Sequence, residues 1–190
     1  MGAKAVNIGL LTVSDRASLG VYEDLGGPAM RRWMEQALLN EHVEFLNRVV
    51  PDDEKAVLGA LESFYQEGCC LILTTGGTGP APRDITPEAT ERFCDQLLPG
   101  FGEEMRRASL KVVPTAILSR QIAGTKGSTL VINLPGKPSA IDDCLRAVFP
   151  AVPYCIDLIE GPYLTTDDRF VACFRPGQKK GQTSQKEKPE

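Results

Sequence analysis

Apolar runs alternate with amphipathic stretches along most of the chain. Residues 5–13 and 71–75 are almost continuously apolar, which is typical of strands that are covered on both faces. Residues 44–50 and 129–134 also have strand character. Because an amphipathic stretch follows each of these segments, the pattern predicts repeated β–α units and an α/β fold with a largely parallel sheet.

Six helices are predicted from the apolar spacing and from residues that begin or end helices. The first extends to Asn40 and has apolar residues at helical spacing. In the second, Asp52 or Asp53 is the expected N-cap and Gly68 the expected terminator. The remaining four are expected at residues 86–97, 102–112, 138–149 and 152–159, with Pro99 and Gly100 ending the first of these.

Composition indicates one globular domain with small anionic ligands. The chain has 190 residues, of which 42% are hydrophobic and 24% are charged. Its formal charge of −4 argues against a general surface for nucleic acid or an anionic membrane, so a phosphate site must be local. No signal-like cleavage site or bilayer-spanning run is present, which predicts a cytoplasmic protein. We assign residues 1–175 to the domain and expect the polar residues 176–190 to form a disordered tail.

The cysteine and histidine content limits the kinds of catalytic and metal site that the chain can form. The six cysteines lie in apolar segments without a C-x-x-C pair, so we expect buried free thiols rather than a disulfide framework. His42 is the only histidine. This argues against a histidine-rich metal site and against a Ser–His or Cys–His nucleophile pair.

Two glycine-rich loops follow predicted strands, at the end of the sheet where ligands bind in parallel α/β folds. Residues 74–80 can turn sharply and direct successive N–H groups at one oxyanion, and the alternative for them is a plain tight turn. Residues 133–139 follow a strand and begin a helix, a placement that also favours an anion. Neither loop has the spacing of a P-loop or of a G-x-G-x-x-G dinucleotide motif.

Two aspartates in the loops after strands, Asp52 and Asp84, are the candidate ligands of Mg²⁺. Each follows a strand through a proline-containing turn, and carboxylate oxygens suit this hard cation. The alternatives are an N-cap for Asp52 and a charged pair with Arg83 for Asp84, and Asp15 has the alternative role of a turn residue. Basic residues that could contact phosphate or remain solvated surface charges are Arg16, Arg83, Arg120 and Lys137.

Several longer motifs together resemble the bacterial molybdopterin adenylyltransferase family. The resemblance extends, more distantly, to the corresponding domains of gephyrin and of a plant cofactor-synthesis protein, and it covers about residues 5–175. The motifs are LTVSDRASLGVYEDLGGPA, VVPDD, TTGGTGPAPRDITPEAT, PGFGEEMR, VPTAILSRQIAG, STLVINLPGKPSAI and VPYCIDLIEGPY.

This resemblance implies a three-layer α/β/α sandwich, a homotrimer, and transfer of AMP from ATP to the terminal phosphate of molybdopterin with release of pyrophosphate. It also implies hand-over of the product to a molybdenum-inserting protein. By matching motif, Asp52 and Asp84 become the catalytic and Mg²⁺-binding residues. The implied substrate- or nucleotide-binding residues are Ser14, Asp15, Thr75, Gly76, Gly77, Thr78, Gly79, Ser109, Asn133, Pro135 and Gly136, with Ser14 and Ser109 as candidates for the pterin side.

Other functions remain as alternatives at this point. A carrier or scaffold could bind the pterin without turnover, although it would have little need of two aspartates beside phosphate-binding loops. A molybdenum insertase would be expected to carry further domains. An oxidoreductase of the Rossmann type would need G-x-G-x-x-G after the first strand, where this chain has Val-Ser-Asp-Arg-Ala-Ser.

Overall fold

A six-stranded sheet forms the centre of the protein. The computed structural model describes residues 5–177, and its strand order is β2-β1-β3-β6-β5-β4. The strands are β1 Val6–Val13, β2 Val43–Val50, β3 Cys69–Thr75, β4 Gln96–Leu97, β5 Ala123–Lys126 and β6 Thr129–Leu134. Strands β2, β1, β3 and β6 are parallel to one another, whereas β5 pairs antiparallel with β6 and β4 pairs antiparallel with β5. The predicted α/β fold with a mostly parallel sheet is therefore confirmed.

Helices cover both faces of this sheet. They are α1 Asp15–Ser18, α2 Gly26–Ala37, α3 Glu54–Gln66, α4 Thr86–Phe93, α5 Pro99–Leu110, α6 Pro138–Val148 and α7 Val152–Leu158, with short 3-10 helices at Pro114–Leu118 and Phe149–Ala151. On strand β3, Leu71 and Leu73 pack into one buried core with residues of α2 and α6. Ile72 between them points to the other core, which contains Leu61 and Phe64 of α3. Side chains alternate across a strand, so the sheet is the middle of three layers.

The end of α4 differs from the prediction. This helix stops at Phe93 instead of Leu97, because Cys94 has extended backbone angles and Gln96–Leu97 pair with β5. Pro99 lies in the first turn of α5 instead of ending α4. A first-turn proline is favourable, since its missing N–H would have no intrahelical partner there.

An antiparallel hairpin at the sheet edge was not predicted. Strands β5 and β6 pair from Ala123↔Ile132 to Lys126↔Thr129, and only two residues join them. Gly127 in this connection has φ of 51°, which suits a tight hairpin turn. Strand β5 contains few β-branched or aromatic residues, so its composition gives little strand signal.

Three further expectations concern thiols, membranes and the tail. All six cysteines are free, and Cys69, Cys70 and Cys144 are buried. Within residues 5–177, no helix combines the length and the apolar character needed to cross a bilayer. Of the expected tail at 176–190, residues 178–190 lie outside the described part of the chain.

Candidate active site

A cleft of about 350 Å³ opens at the carboxyl ends of β1 and β3. The chain continues from β1 to β2 on one side of β1, while β3 lies on its other side, so the cleft is at the topological switch point of the sheet. The volume is in the range of small-molecule sites. The lining residues come from five segments: 12–17, Tyr22 with 24–26, Asp52, 75–77 with 83–84, and Gly136 with Pro138.

The glycine-rich loop after β3 has a backbone that only glycine adopts readily. Gly76 and Gly77 have φ of 95° and 62°, and a Cβ on Gly76 would lie 2.2 Å from the carbonyl oxygen of Val13. The Thr86 hydroxyl donates to the Gly76 carbonyl (2.9 Å), and the Thr86 N–H donates to the Gly77 carbonyl (3.1 Å). These bonds connect the loop to the start of α4.

The N–H groups of this loop remain available for a ligand. Among residues 5–177, the N–H groups of Gly77, Thr78 and Gly79 have no protein acceptor. Gly76 and Gly77 lie directly on the cleft. Unpaired backbone donors at a glycine turn form a concavity that suits an oxyanion. The loop therefore has the unpaired donors that an anion-binding loop requires.

Arg120 supports the glycine-rich loop instead of lining the cleft. Its Nε donates to the Gly79 carbonyl (2.8 Å), and its terminal nitrogens bind the Asp84 carbonyl and the Glu88 carboxylate. Its own N–H donates to the Thr78 carbonyl (2.9 Å). Among the four basic residues considered from the sequence, Arg16 and Arg83 line the cleft, whereas Arg120 and Lys137 do not.

Asp52 and Asp84 both lie beside the glycine-rich loop and both line the cleft. Oδ1 of Asp52 is 3.5 Å from the point where a Cβ of Gly77 would lie, and Oδ2 of Asp84 is 2.8 Å from that of Gly79. The Asp84 carboxylate also accepts from the Ala81 N–H (2.9 Å). Among the described residues Asp84 forms no ion pair with Arg83, so the charged pair considered as its alternative role is not observed.

The N-cap of α3 is Asp53, not Asp52. The Asp53 carboxylate accepts from the Ala56 N–H at 2.9 Å. Asp52 instead pairs with Asp15 across the ends of β1 and β2. The Asp15 N–H donates to Oδ2 of Asp52 (2.9 Å), and the Asp52 N–H donates to Oδ1 of Asp15 (3.0 Å).

Asp24 also lines the cleft and was not predicted. Its Oδ1 accepts from the N–H groups of Gly26 (2.9 Å) and Gly27 (3.1 Å), and its Oδ2 accepts from the Thr12 hydroxyl (3.0 Å). The carboxylate thus accepts hydrogen bonds from backbone N–H groups at the start of α2. An aspartate two residues before a helix that begins with Gly-Gly is a recognisable capping signal.

The other predicted site residues divide into two groups. Ser14, Asp15, Thr75, Gly76, Gly77 and Gly136 line the cleft, whereas Thr78, Gly79, Ser109, Asn133 and Pro135 do not. The Thr75 hydroxyl donates to the Pro135 carbonyl (2.8 Å), which ties the two glycine-rich loops together.

Two residues of the second group lie in the protein interior. Ser109 is buried on α5, with its hydroxyl 3.5 Å from the sulfur of Cys144. Asn133 is fully buried, and its amide donates to the hydroxyls of Thr74 (3.0 Å) and Thr90 (2.8 Å). These contacts bind β6 to β3 and α4.

Within the described part of the chain, the cleft lining contains neither a cysteine nor the histidine. Burial raises the pKa of the Cys69, Cys70 and Cys94 thiols to about 12, so they are poor nucleophiles near neutral pH. The carbonyl of His42 accepts from the N–H of Val6, which begins β1. His42 therefore lies at the amino end of the parallel strands, opposite the cleft.

Comparison with known proteins identifies the family. Residues 9–154 match the family described as a probable molybdopterin binding domain. The chain is 53% identical over 176 residues to the molybdopterin adenylyltransferase of Helicobacter pylori strain 26695, covering 92% of this chain and 99% of that protein. It is 47% identical to the molybdopterin adenylyltransferase of Escherichia coli K12, covering 90% and 94% of the two chains.

A solved structure agrees with this assignment. The molybdopterin biosynthesis enzyme from Thermus thermophilus superposes with a TM-score of 0.74 at 39% identity, covering 83% of this chain and 99% of that one. The family match extends from β1 to the start of α7, so it includes the strands and loops that form the cleft. The chain belongs to the molybdopterin adenylyltransferase family.

Proposed function

We propose that the protein transfers AMP from ATP to the terminal phosphate of molybdopterin. An oxygen of that phosphate forms a bond to the α-phosphorus of ATP. The bond between the α-phosphorus and the oxygen that bridges to the β-phosphorus breaks, and pyrophosphate leaves. The observation that supports this proposal best is the convergence of two carboxylates and a loop with unpaired N–H groups on one cleft.

The cleft supplies what phosphoryl chemistry requires from a protein, namely position and charge compensation. The unpaired N–H group of Gly77, which lines the cleft, would donate to a phosphate oxygen as negative charge develops on it. The attacking phosphate needs little activation, because a phosphate monoester with a second pKa of about 6 is largely ionised at neutral pH. No protein nucleophile or histidine base is therefore needed.

Asp52 and Asp84 fit a magnesium ion. Among the hydrogen bonds of residues 5–177, none occupies Oδ1 of either carboxylate, so each has an oxygen available. Mg²⁺ is commonly held by one or two carboxylates together with substrate phosphates. No group of three or more potential metal-binding side chains occurs among the described residues, so an ion held here would need substrate oxygens to complete its coordination. When bound, the ion would neutralise charge on the phosphates.

The test replaces each carboxylate by its amide. Asp52→Asn and Asp84→Asn should each lower kcat at least about 100-fold, the loss seen when one group that stabilises a transition state is removed. The measurement is pyrophosphate release, with labelled ATP and molybdopterin as substrates and detection of the adenylylated pterin. Asp53→Asn is the matched control, because asparagine also caps a helix and Asp53 lies outside the cleft lining.

Two results would overturn this assignment. Near-normal turnover in both Asp52→Asn and Asp84→Asn would remove the carboxylates from the mechanism. Tight binding of molybdopterin by the unchanged protein, with no pyrophosphate formed at any Mg²⁺ concentration, would instead favour the carrier or scaffold.

The assembly and cellular context are also proposals. From the family we propose a homotrimer that acts in the cytoplasm and passes its product to a molybdenum-inserting protein. Light scattering on the purified protein tests the trimer, and a monomeric mass would contradict it. Transfer of the adenylylated pterin in a two-protein mixture tests the hand-over.

A further inference from the structure

The ends of β1 and β2 are joined by a reciprocal pair of hydrogen bonds between Asp15 and Asp52. Each residue donates its N–H to the carboxylate of the other, at 2.9 and 3.0 Å, although they are 37 positions apart in sequence. The Ser14 N–H adds a bond to the Val50 carbonyl at 2.9 Å. We call the two Asp15–Asp52 bonds the aspartate clasp.

The clasp determines which oxygen of Asp52 faces the ligand space. Its Oδ2 is taken by the Asp15 N–H. The other oxygen, Oδ1, lies 3.5 Å from the Cβ position of Gly77, a residue of the glycine-rich loop that lines the cleft. Both aspartates are partly buried, which limits how far water can replace the missing partner if the clasp is broken.

We infer that Asp15 is a positioning residue, which acts on the reaction through Asp52 and is not itself a ligand of the metal or the substrate. The inference rests on the proposed function. What Asp15 contributes is an acceptor oxygen for the Asp52 N–H, and that bond orients the Asp52 backbone and hence its carboxylate. Since displacing a catalytic group by about 1 Å can cost about 100-fold in rate, this bond should affect kcat.

The inferred role of Asp15 depends on its hydrogen-bond acceptor and not on its charge. An asparagine at position 15 keeps an oxygen that can accept from the Asp52 N–H, but it carries no charge. A metal ligand or an electrostatic role would require the charge, whereas the clasp requires only the oxygen. The pair Asp15→Asn and Asp15→Ala therefore separates the two roles.

The kinetic experiment uses the full chain with ATP, Mg²⁺ and molybdopterin. We expect Asp15→Ala to lower kcat at least about tenfold while the KM for ATP stays within about threefold, as for loss of an interaction that matters in the transition state. Asp15→Asn should retain kcat within about threefold of the unchanged protein, because the acceptor is kept. Asp53→Ala is the control, since it removes a similar N–H to carboxylate bond (2.9 Å to Ala56) outside the cleft and should leave kcat unchanged.

A substrate-free experiment tests the clasp itself. Hydrogen exchange at the Asp52 amide, followed by NMR, should be at least about tenfold faster in Asp15→Ala and within about threefold of normal in Asp15→Asn, since exchange reports loss of the local bond. If the unchanged protein forms no adenylylated pterin, the proposed function fails, yet this measurement still decides whether the clasp exists.

The following outcomes would overturn the inference. The first is an Asp15→Asn variant that loses as much activity as Asp15→Ala, which would mean that the charge is required. The second is normal kcat, or normal exchange at the Asp52 amide, in Asp15→Ala. If Asp15→Ala does not fold, Asp15→Asn alone decides, because the inference requires it to be active.

Discussion

Replacement of Gly76 by alanine is the sharpest test of the structure of the glycine-rich loop. Gly76 has φ of 95°, in the left-handed region that costs a residue with a Cβ about 1 to 2 kcal/mol. The new methyl group would also lie 2.2 Å from the carbonyl oxygen of Val13. Because this neighbour is backbone of a buried strand, relief requires a backbone shift, and such overpacking costs about 1 to 3 kcal/mol.

Together these effects should lower the free energy of unfolding by at least about 2 kcal/mol in Gly76→Ala. For a domain of this size, that corresponds to a decrease in Tm of about 4 to 8 °C. Denaturant titration and calorimetry measure the two quantities. All variants should be compared at one protein concentration, because association would shift the apparent stability.

Gly136→Ala is the matched control for this prediction. Gly136 lines the same cleft, but its Cβ would lie 3.6 Å from the Cα of Gly76, an ordinary contact. Its stability should therefore be unchanged or higher by up to about 1 kcal/mol, since alanine restricts the unfolded chain. Equal stability of Gly76→Ala and the unchanged protein would refute the backbone geometry described for the loop.

Two other predictions concern strain and ionisation. Glu160 is the one described non-glycine residue with positive φ (60°). The Glu160→Gly variant should be more stable by about 0.5 kcal/mol, because the relief of backbone strain exceeds the added freedom of the unfolded chain. Calorimetry should show a higher Tm for Glu160→Gly but not for Glu160→Ala, and equal Tm values for the two variants would contradict the strain. Burial raises the pKa of the Cys69, Cys70 and Cys94 thiols from the ordinary value of 9.0 to about 12. Between these two values the thiols of the unfolded state lose protons that the folded state keeps. The free energy of unfolding should therefore fall as pH rises from about 9 to about 12. Denaturant titrations at about pH 8 and about pH 10.5 measure this decrease, and its absence would show that the thiols ionise in the folded protein.

Local pattern predicts the parallel part of the fold well. The residues of β1, β3 and β6 are apolar because both faces of the central strands are covered by helices, so burial leaves a signal within each segment. Strands β4 and β5 leave no such signal. They lie at the edge of the sheet, and contacts with a distant partner determine their pairing.

Sequence by itself also indicates which loops line the cleft. The glycines at 76 and 77 and the aspartates at 52 and 84 are recognisable because tight turns and the proposed metal site each depend on residue type. Their common position at one cleft follows from the parallel strand order, which the alternation of strands and helices already predicts.

Only the tertiary structure decides how these residues contact one another. The order β2-β1-β3 brings residues 15 and 52 together, and no local pattern indicates a pair so distant in sequence. The same is true of Ser109 and Asn133, which are buried because α5 and β6 pack against their neighbours. Residue type and hydrophobic periodicity are properties of a single segment. The partner of a hydrogen bond and the exposure of a side chain depend instead on the packing of the whole chain.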